Sequence, residues 1–121
     1  MATHRTRQQQ RAIDGHRLVG SRFGADGKSA DWKKYRTFCK KGPTLLQQSG
    51  VMQTVAFCLS RDDAGAKHWV ADLADLLGKS DLAQVAREAP LAQYLALSRD
   101  TIEAATWLRR FAMSLDPEVT E

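Results

Sequence analysis

Apolar residues recur every three or four positions along most of the chain, the spacing that places side chains on one face of an α-helix. Trp32, Tyr35 and Phe38 form one such stripe, and Trp69 and Leu73 belong to another. No segment bounded by turn residues shows the two-residue alternation of a half-buried strand. The pattern therefore predicts an all-α fold, a compact bundle of five to seven helices with short loops.

Glycine and proline divide this pattern into elements. Proline lacks a backbone N–H and disfavours helix in the residue before it, so Gly42-Pro43 is expected to end one helix. Gly50 is expected to form either a helix end or a sharp kink. The predicted helices cover residues 6–22, 31–41, 51–59, 64–77, 81–88, 91–97 and 100–115, and Pro43 is expected to open a further turn that leads through 44–49 to Gly50.

Short polar residues predict the helix starts. Asp62-Asp63 precedes the helix at 64–77, and Ser80 precedes the one at 81–88. Asp100 and Glu103 stand at capping-box spacing and are expected to open the last helix. That helix should end at Asp116-Pro117, leaving the acidic tail at 118–121 and the first few residues loose.

The most apolar predicted helix, residues 51–59, is expected to be the central one. Its predicted buried face consists of Met52, Val55, Ala56 and Leu59, widened by Phe57 and Cys58, so the segment should be nearly surrounded by protein. Gln53 is the polar exception. Its amide either satisfies a buried partner or reaches a binding surface, and the sequence leaves both interpretations open.

The composition fits a single globular domain spanning residues 1–121, with 43% hydrophobic and 26% charged residues. The longest apolar runs fall well short of the roughly 20 residues that cross a bilayer. The first residues, from Met1 to Arg7, lack the apolar stretch of a secretion signal. We therefore expect a cytoplasmic protein without membrane contact.

The sequence offers weak material for catalysis or metal binding. Cys39 and Cys58 have no CxxC or Cys/His cluster beside them, so buried free thiols are expected rather than a metal site. His16 and His68 lack a second ligand at metal-binding spacing, and Asp72 fits the wet face of an amphipathic helix. We therefore predict no catalytic residue, no metal and no cofactor.

The positive charge is concentrated in the first half of the chain. Residues 1–61 contain 12 Lys/Arg and 3 Asp, a net charge of +9, whereas residues 62–121 contain 6 Lys/Arg and 11 Asp/Glu, a net charge of −5. A cationic surface of this size favours a polyanion or an acidic protein as the partner of the first half.

Within nine residues the chain carries five cations, namely Lys33, Lys34, Arg36, Lys40 and Lys41. On one helix, the spacing of Lys33, Arg36 and Lys40 places their charges along one side, where they can follow phosphates. For an isolated charge run, a solvated helix face is the plainer interpretation. Nucleic-acid binding is favoured if these cations converge with those elsewhere, namely Arg5, Arg7, Arg11, Arg17, Arg109 and Arg110.

Trp107 and Phe111 flank Arg109-Arg110 in the last predicted helix. Exposed aromatic side chains stack on bases in proteins that bind single strands. At helical spacing beside Leu108, however, these two rings fit the core better.

Two groups of motifs occur in a fixed order. The first is Tyr35-Arg-x-Phe38, Lys40-Lys-Gly-Pro43, Leu45-Leu46, Gly50-Val-Met-Gln53 and Ala56-Phe57, and the second is Thr101-x-Glu-Ala104 and Trp107-Leu-Arg-Arg-Phe-Ala112. In this order they resemble the small helical subunit of type III-B CRISPR effector complexes, the Cmr small-subunit family. They cover about residues 32–59 and 100–113, and the middle of the chain matches only in helical pattern. The chain has Met52 where the family usually has glycine, and Gly42 where it tends to have leucine.

The resemblance implies a non-catalytic antiviral subunit that is present in several copies and lines the channel holding guide RNA paired with target RNA. Its expected partners are this RNA, other Cmr subunits and copies of itself. The residues expected to contact RNA are Lys33, Arg36, Lys40, Lys41, Gln53, Arg109 and Arg110.

Two other functions compete with this one. The first is a helical protein–protein adaptor that never meets nucleic acid. The second is a DNA-binding helix-turn-helix regulator built on residues 44–59, but its second helix is too apolar for a major groove.

Overall fold

The computed structural model describes residues 5–117, which form five α-helices and, within that range, no strand. The predicted all-α fold is therefore confirmed. The first four residues and the tail at 118–121, which were expected to be loose, lie outside the described residues. The helices are α1 (Arg7–Phe23), α2 (Ala30–Ser60), α3 (Ala64–Leu77), α4 (Leu82–Glu88) and α5 (Leu91–Leu115).

Local capping explains most of the helix ends. Thr6 and Gln9 form a capping box at the start of α1, and Ser29 caps α2 by accepting from the backbone N–H of Trp32. Asp63 caps α3 as predicted, and Gly78 ends that helix in the left-handed conformation. At α4 the cap is one residue later than predicted, on Asp81 instead of Ser80.

The predicted break at Gly42-Pro43 is wrong, because α2 continues through both residues. Gly42 is buried, and a Cβ there would overlap the ring of Trp69, so this glycine serves a close helix–helix contact. Pro43 removes one backbone donor from the helix. Close to that position, the Arg109 Nε of α5 donates to the Lys40 carbonyl oxygen at 3.0 Å.

The chain bends instead at Gly50, whose φ of 80° and ψ of 167° are non-helical, as the kink prediction allowed. It divides α2 into a first limb (residues 30–49) and a second limb (residues 51–60). The Thr54 hydroxyl of the second limb donates to the Leu45 carbonyl oxygen of the first at 3.2 Å. The second limb therefore folds back beside the first, as in a helical hairpin.

Residues 91–115 form one helix, so the prediction of separate helices at 91–97 and 100–115 is wrong. No glycine or proline separates the two segments, and the buried stripe runs on without a gap. Asp100 and Glu103 do not cap a helix start. They lie in mid-helix and form ion pairs with Arg7 and Arg11 of α1.

The core lies around α2, which packs against both α3 and α5. Trp32, Tyr35 and Trp69 are its largest fully buried side chains. Val55 and Cys58 of the second limb are buried as expected, and Val51 and Thr54 are buried beside them. The expected burial of the other four residues is wrong, since Met52, Phe57 and Leu59 are 46%, 46% and 44% exposed and Ala56 is exposed too.

A buried carboxylate joins three helices. Asp72, only 2% exposed, accepts two hydrogen bonds from Arg22 of α1 and one, at 2.7 Å, from the Tyr35 hydroxyl of α2. The hydrogen bond to Asp72 raises the pKa of Arg22, and burial raises the pKa of Tyr35. The prediction that Asp72 lies on a wet helix face is therefore wrong.

We expect Gly65→Ala to lower the free energy of unfolding by about 1–3 kcal/mol, because its Cβ would overlap the backbone and Cβ of Lys34. The matched control is Gly20→Ala in α1, where a Cβ meets nothing within 4 Å. It should raise stability by about 0.5–1 kcal/mol. Chemical denaturation measures both variants, and equal effects would contradict the close packing of α3 on α2.

The two buried thiols should make the fold sensitive to alkaline pH. Burial raises the pKa of Cys39 to about 12 and that of Cys58 to about 11, from an ordinary value of 9.0. The unfolded chain therefore releases these protons first, so stability is full below pH 9 and falls as pH rises through 11, by up to about 1.4 kcal/mol per pH unit for each thiol. The Cys39→Ala/Cys58→Ala variant should lose less stability over this interval in urea titrations. If the free energy of unfolding fell equally with pH in both proteins, the two thiols would not be the cause of the alkaline sensitivity.

Candidate nucleic-acid interface

Cations from two distant parts of the chain meet where α5 crosses the first limb of α2. Arg36 donates to the Asp116 carbonyl oxygen near the end of α5, and one turn further along α2 the Lys40 carbonyl oxygen accepts from Arg109. The two helices therefore run antiparallel at this point. Side chains that are 69 residues apart in sequence become neighbours.

Two more cations lie on either side of this crossing. The Lys41 ammonium stands 4.6 Å from the centroid of the Phe38 ring, and the Arg110 guanidinium stands 6.0 Å from that of Trp107. Such cation–π contacts leave the charge at the surface. We call the resulting set the basic band; it consists of Lys33, Lys40, Lys41, Arg109 and Arg110.

Most of the basic band is open to solvent. Lys33, Lys41, Arg109 and Arg110 are exposed, and Lys40 is half-buried. Among residues 5–117, no carboxylate lies within 4 Å of the charged atoms of the four exposed members. Their charges are therefore available to an anionic ligand.

Arg36 is held differently from the other predicted contacts. Its guanidinium makes two hydrogen bonds to the Asp116 carbonyl oxygen, at 2.9 and 2.7 Å, and lies 3.4 Å from the Asp116 carboxylate. Its side chain is only 16% exposed. Arg36 therefore fastens the end of α5 to α2, and Asp116 offsets its charge.

The basic band includes none of the cations of α1. Arg11 is buried and bonds Glu103 at 2.9 Å, and Arg7 lies 3.6 Å from Asp100. These pairs attach α1 to α5. Arg5 and Arg17 are exposed.

The Trp107 and Phe111 rings stack on each other, with centroids 5.7 Å apart and planes at 18°. A Cβ at Gly15 of α1 would touch both side chains, and His16 packs edge-on against Phe111 at 5.3 Å. Both rings are half-buried. Their main role is to pack α5 against α1, the alternative that the sequence favoured.

Gln53 lies on the surface, so its amide does not satisfy a buried partner. It lines a groove of about 290 Å³ between the two limbs of α2, together with Leu45, Ser49, Thr54 and Phe57. Phe57 is the residue that sequence reasoning missed here, because it was assigned to the core. The available signal was the four-residue spacing of Gln53, Phe57 and Arg61, which places all three on one helix face.

In the described part of the chain, no three His, Cys, Asp or Glu side chains gather as a group that could hold a metal ion. Cys39 and Cys58 are free and buried, as predicted. Over residues 5–117, no helix combines the length and the apolar character that crossing a membrane requires.

Comparison with known proteins gives consistent results. A sequence model of the family described as CRISPR-associated protein (Cas_Cmr5) matches residues 7–115. The CRISPR system Cmr subunit Cmr5 of Thermus thermophilus is 39% identical over 117 residues, which cover 94% of this chain and 99% of that protein. The crystal structure of a CRISPR-associated Cmr5 family protein from Thermus thermophilus superposes with a TM-score of 0.85 at 39% identity, over 93% of this chain and 99% of that one.

Arg36 is bonded to Asp116, whereas Lys33 is exposed, so neutralising the two cations should change the stability of the protein to different extents. We expect Arg36→Gln to lower the free energy of unfolding by about 1–3 kcal/mol, because the Asp116 carbonyl oxygen loses its donors. Lys33→Gln, at an exposed position of the same helix, should change it by less than about 0.5 kcal/mol. Urea denaturation compares the two variants. An unchanged denaturation midpoint for Arg36→Gln would show that the bonds between Arg36 and Asp116 do not stabilise the end of α5.

Proposed function

Since the chain belongs to the Cmr5 family of CRISPR-associated proteins, we propose that it is a non-catalytic, RNA-binding subunit of a type III-B Cmr antiviral effector complex in the cytoplasm. In this role it lines the channel that holds guide RNA paired with target RNA. The proposed contacts are Lys33, Arg36, Lys40, Lys41, Gln53, Arg109 and Arg110.

The contact between Arg109 and the Lys40 carbonyl oxygen carries this proposal. It brings the first limb of α2 beside α5 at this point, which supports treating the cations of the two helices as one anion-binding surface and not as two separate charge runs. Lys and Arg ammonium and guanidinium groups bind phosphate oxygens irrespective of base sequence. A surface of this kind suits a guide RNA whose sequence varies. Of the proposed contacts, Arg36 should contribute least to RNA binding, because Asp116 already binds it.

A few phosphate contacts per copy can give strong binding when several copies of the chain bind the same RNA strand. One copy of the chain can neutralise only the few phosphates that its basic band reaches, which gives weak binding at physiological salt. When several copies lie along one strand, each further contact becomes intramolecular and the affinities multiply. We therefore propose that copies of the chain act together in the complex.

A separate surface is available for protein partners. Leu91 and Leu95, at the start of α5, are 74% and 55% exposed, which is unusual for two leucines one turn apart. Leu95 lies about 20 Å along the helix from Arg109. We propose that this apolar end of α5 contacts other Cmr subunits or another copy of the chain, while the basic band faces RNA.

The same two leucines favour the second candidate function, a helical adaptor that binds only proteins. In that case the basic band would be a solvated surface, or would bind an acidic protein. The two functions differ in whether the chain binds RNA with an affinity that depends on salt.

We expect Lys40→Gln/Lys41→Gln to weaken binding of single-stranded RNA to a similar extent for all sequences. Each phosphate contact that is lost should reduce the slope of log K against log salt by about 0.7. Lys79→Gln/Arg87→Gln is the matched control, since it also removes two positive charges, at exposed positions outside the band. Fluorescence anisotropy at several salt concentrations measures these affinities.

An unchanged salt slope in the Lys40/Lys41 variant would remove both residues from the interface. Equal losses in the control variant would assign the effect to net charge and not to the basic band. Failure of the full-length chain to bind RNA even at low salt, together with retained binding to Cmr subunits, would favour the adaptor.

A further inference from the structure

The hairpin in α2 creates a groove with two parallel rows of side chains. On the first limb, Lys41, Leu45 and Ser49 are spaced by four residues, and on the second limb the row begins with Gln53 and Phe57 at the same spacing. The Gly50 bend closes one end of the groove. The hydrogen bond from the Thr54 hydroxyl to the Leu45 carbonyl oxygen holds the two limbs together along its floor.

Two cations stand at the open end of the groove. The Arg61 guanidinium lies 5.1 Å from the centroid of the Phe57 ring. Lys41 stands one turn before Leu45 on the first limb. Burial raises the pKa of the Cys58 thiol, and the charges of Lys41 and Arg61 lower it. Arg61 also lies 3.9 Å from Asp63, but it remains 47% exposed, and such surface pairs bind weakly.

Phe57 gives the groove a flat aromatic wall. Its side chain is 46% exposed, unlike the half-buried Trp107 and Phe111, which stack on each other. The exposed side chains of Gln53 and Ser49 supply hydrogen-bond donors and acceptors on the same lining. The groove thus combines a π surface, an amide and a cationic entrance.

We propose that this groove binds one unpaired base of an RNA strand, a proposal that rests on the RNA-binding function above. The base lies against Phe57 and its edge bonds the Gln53 amide, while Lys41 and Arg61 bind the adjoining phosphates. Aromatic side chains stack on any base, and amides read its edge. The volume of about 290 Å³ is at the lower end of ligand sites, which suits one base better than a folded peptide segment.

The groove and the basic band therefore bind different parts of the RNA. The band binds phosphates wherever the backbone passes, whether or not the bases are paired. The groove requires a base that has left its helix, because a stacked and paired base does not present its face or its edge. Lys41 belongs to both surfaces, so the strand can pass from one to the other.

Binding of two oligomers of equal length to the full-length chain tests the proposal. One is labelled oligouridylate, and the other is the same backbone without bases. We expect the wild-type chain to prefer the oligomer with bases. Phe57→Ala should lower affinity for that oligomer about fivefold or more and leave affinity for the abasic oligomer unchanged. Leu59→Ala, at a residue of similar exposure two positions away, is the matched control and should change neither.

Two further variants keep the test independent of folding. Phe57→Leu retains an apolar side chain without a π face and should bind as weakly as Phe57→Ala, with the helical circular dichroism of the wild type. Phe57→Trp should retain or raise affinity. A 2-aminopurine base in the oligomer should be quenched by the wild-type chain and by Phe57→Trp, but not by Phe57→Ala.

The other outcomes overturn the proposal in distinguishable ways. If the wild-type chain binds both oligomers equally, it contacts the backbone alone, and only the groove proposal fails. If it binds neither oligomer, the proposed RNA-binding function fails as well. If Phe57→Ala binds RNA normally but loses its association with other Cmr subunits, the groove is a protein contact.

Discussion

The bond network around Asp72 is the constraint on which the arrangement of the helices depends. A carboxylate that is 2% exposed is costly to bury unless its oxygens are satisfied, and here Arg22 and Tyr35 together satisfy them. Because the three residues belong to α1, α2 and α3, the network fixes the rotation of α2 about its own axis. That rotation decides which residues of α2 meet the core and which meet solvent.

The surface chemistry follows from this orientation. With Tyr35 turned inward toward α3, the cations of the first limb point away from the core, and Lys40 comes beside Arg109 of α5. The Gly50 bend then returns the second limb along the first, so one helix supplies both the centre of the core and the walls of a surface groove. The basic band and the groove are therefore two consequences of how a single helix is placed.

The sequence predicted features that are set by residues close together in the chain, such as helix caps. It missed features that are set by contacts between distant residues. The cap at Asp63 follows from local hydrogen bonding, and the local pattern predicted it. The break at Pro43 failed because α5 and Trp69 support the helix from outside it. Periodicity also identified the second limb as helical, but it could not give the limb's rotation, which the Gly50 bend sets. For this reason Phe57 was placed in the core and the groove was not foreseen.

Among the described residues, α1 buries two hydrophobic side chains, Leu18 and Val19. Three of its arginines bind carboxylates, Arg7 and Arg11 on α5 and Arg22 on α3. Ion pairs at a protein surface are screened by salt, and apolar contacts are not. The two ends of α1 therefore differ in their sensitivity to salt. Arg7 lies in the first turn and its side chain is 69% exposed, whereas Arg22 in the last turn binds the buried Asp72. High ionic strength thus loosens the start of α1 first, while the Asp72 network keeps its end on the bundle.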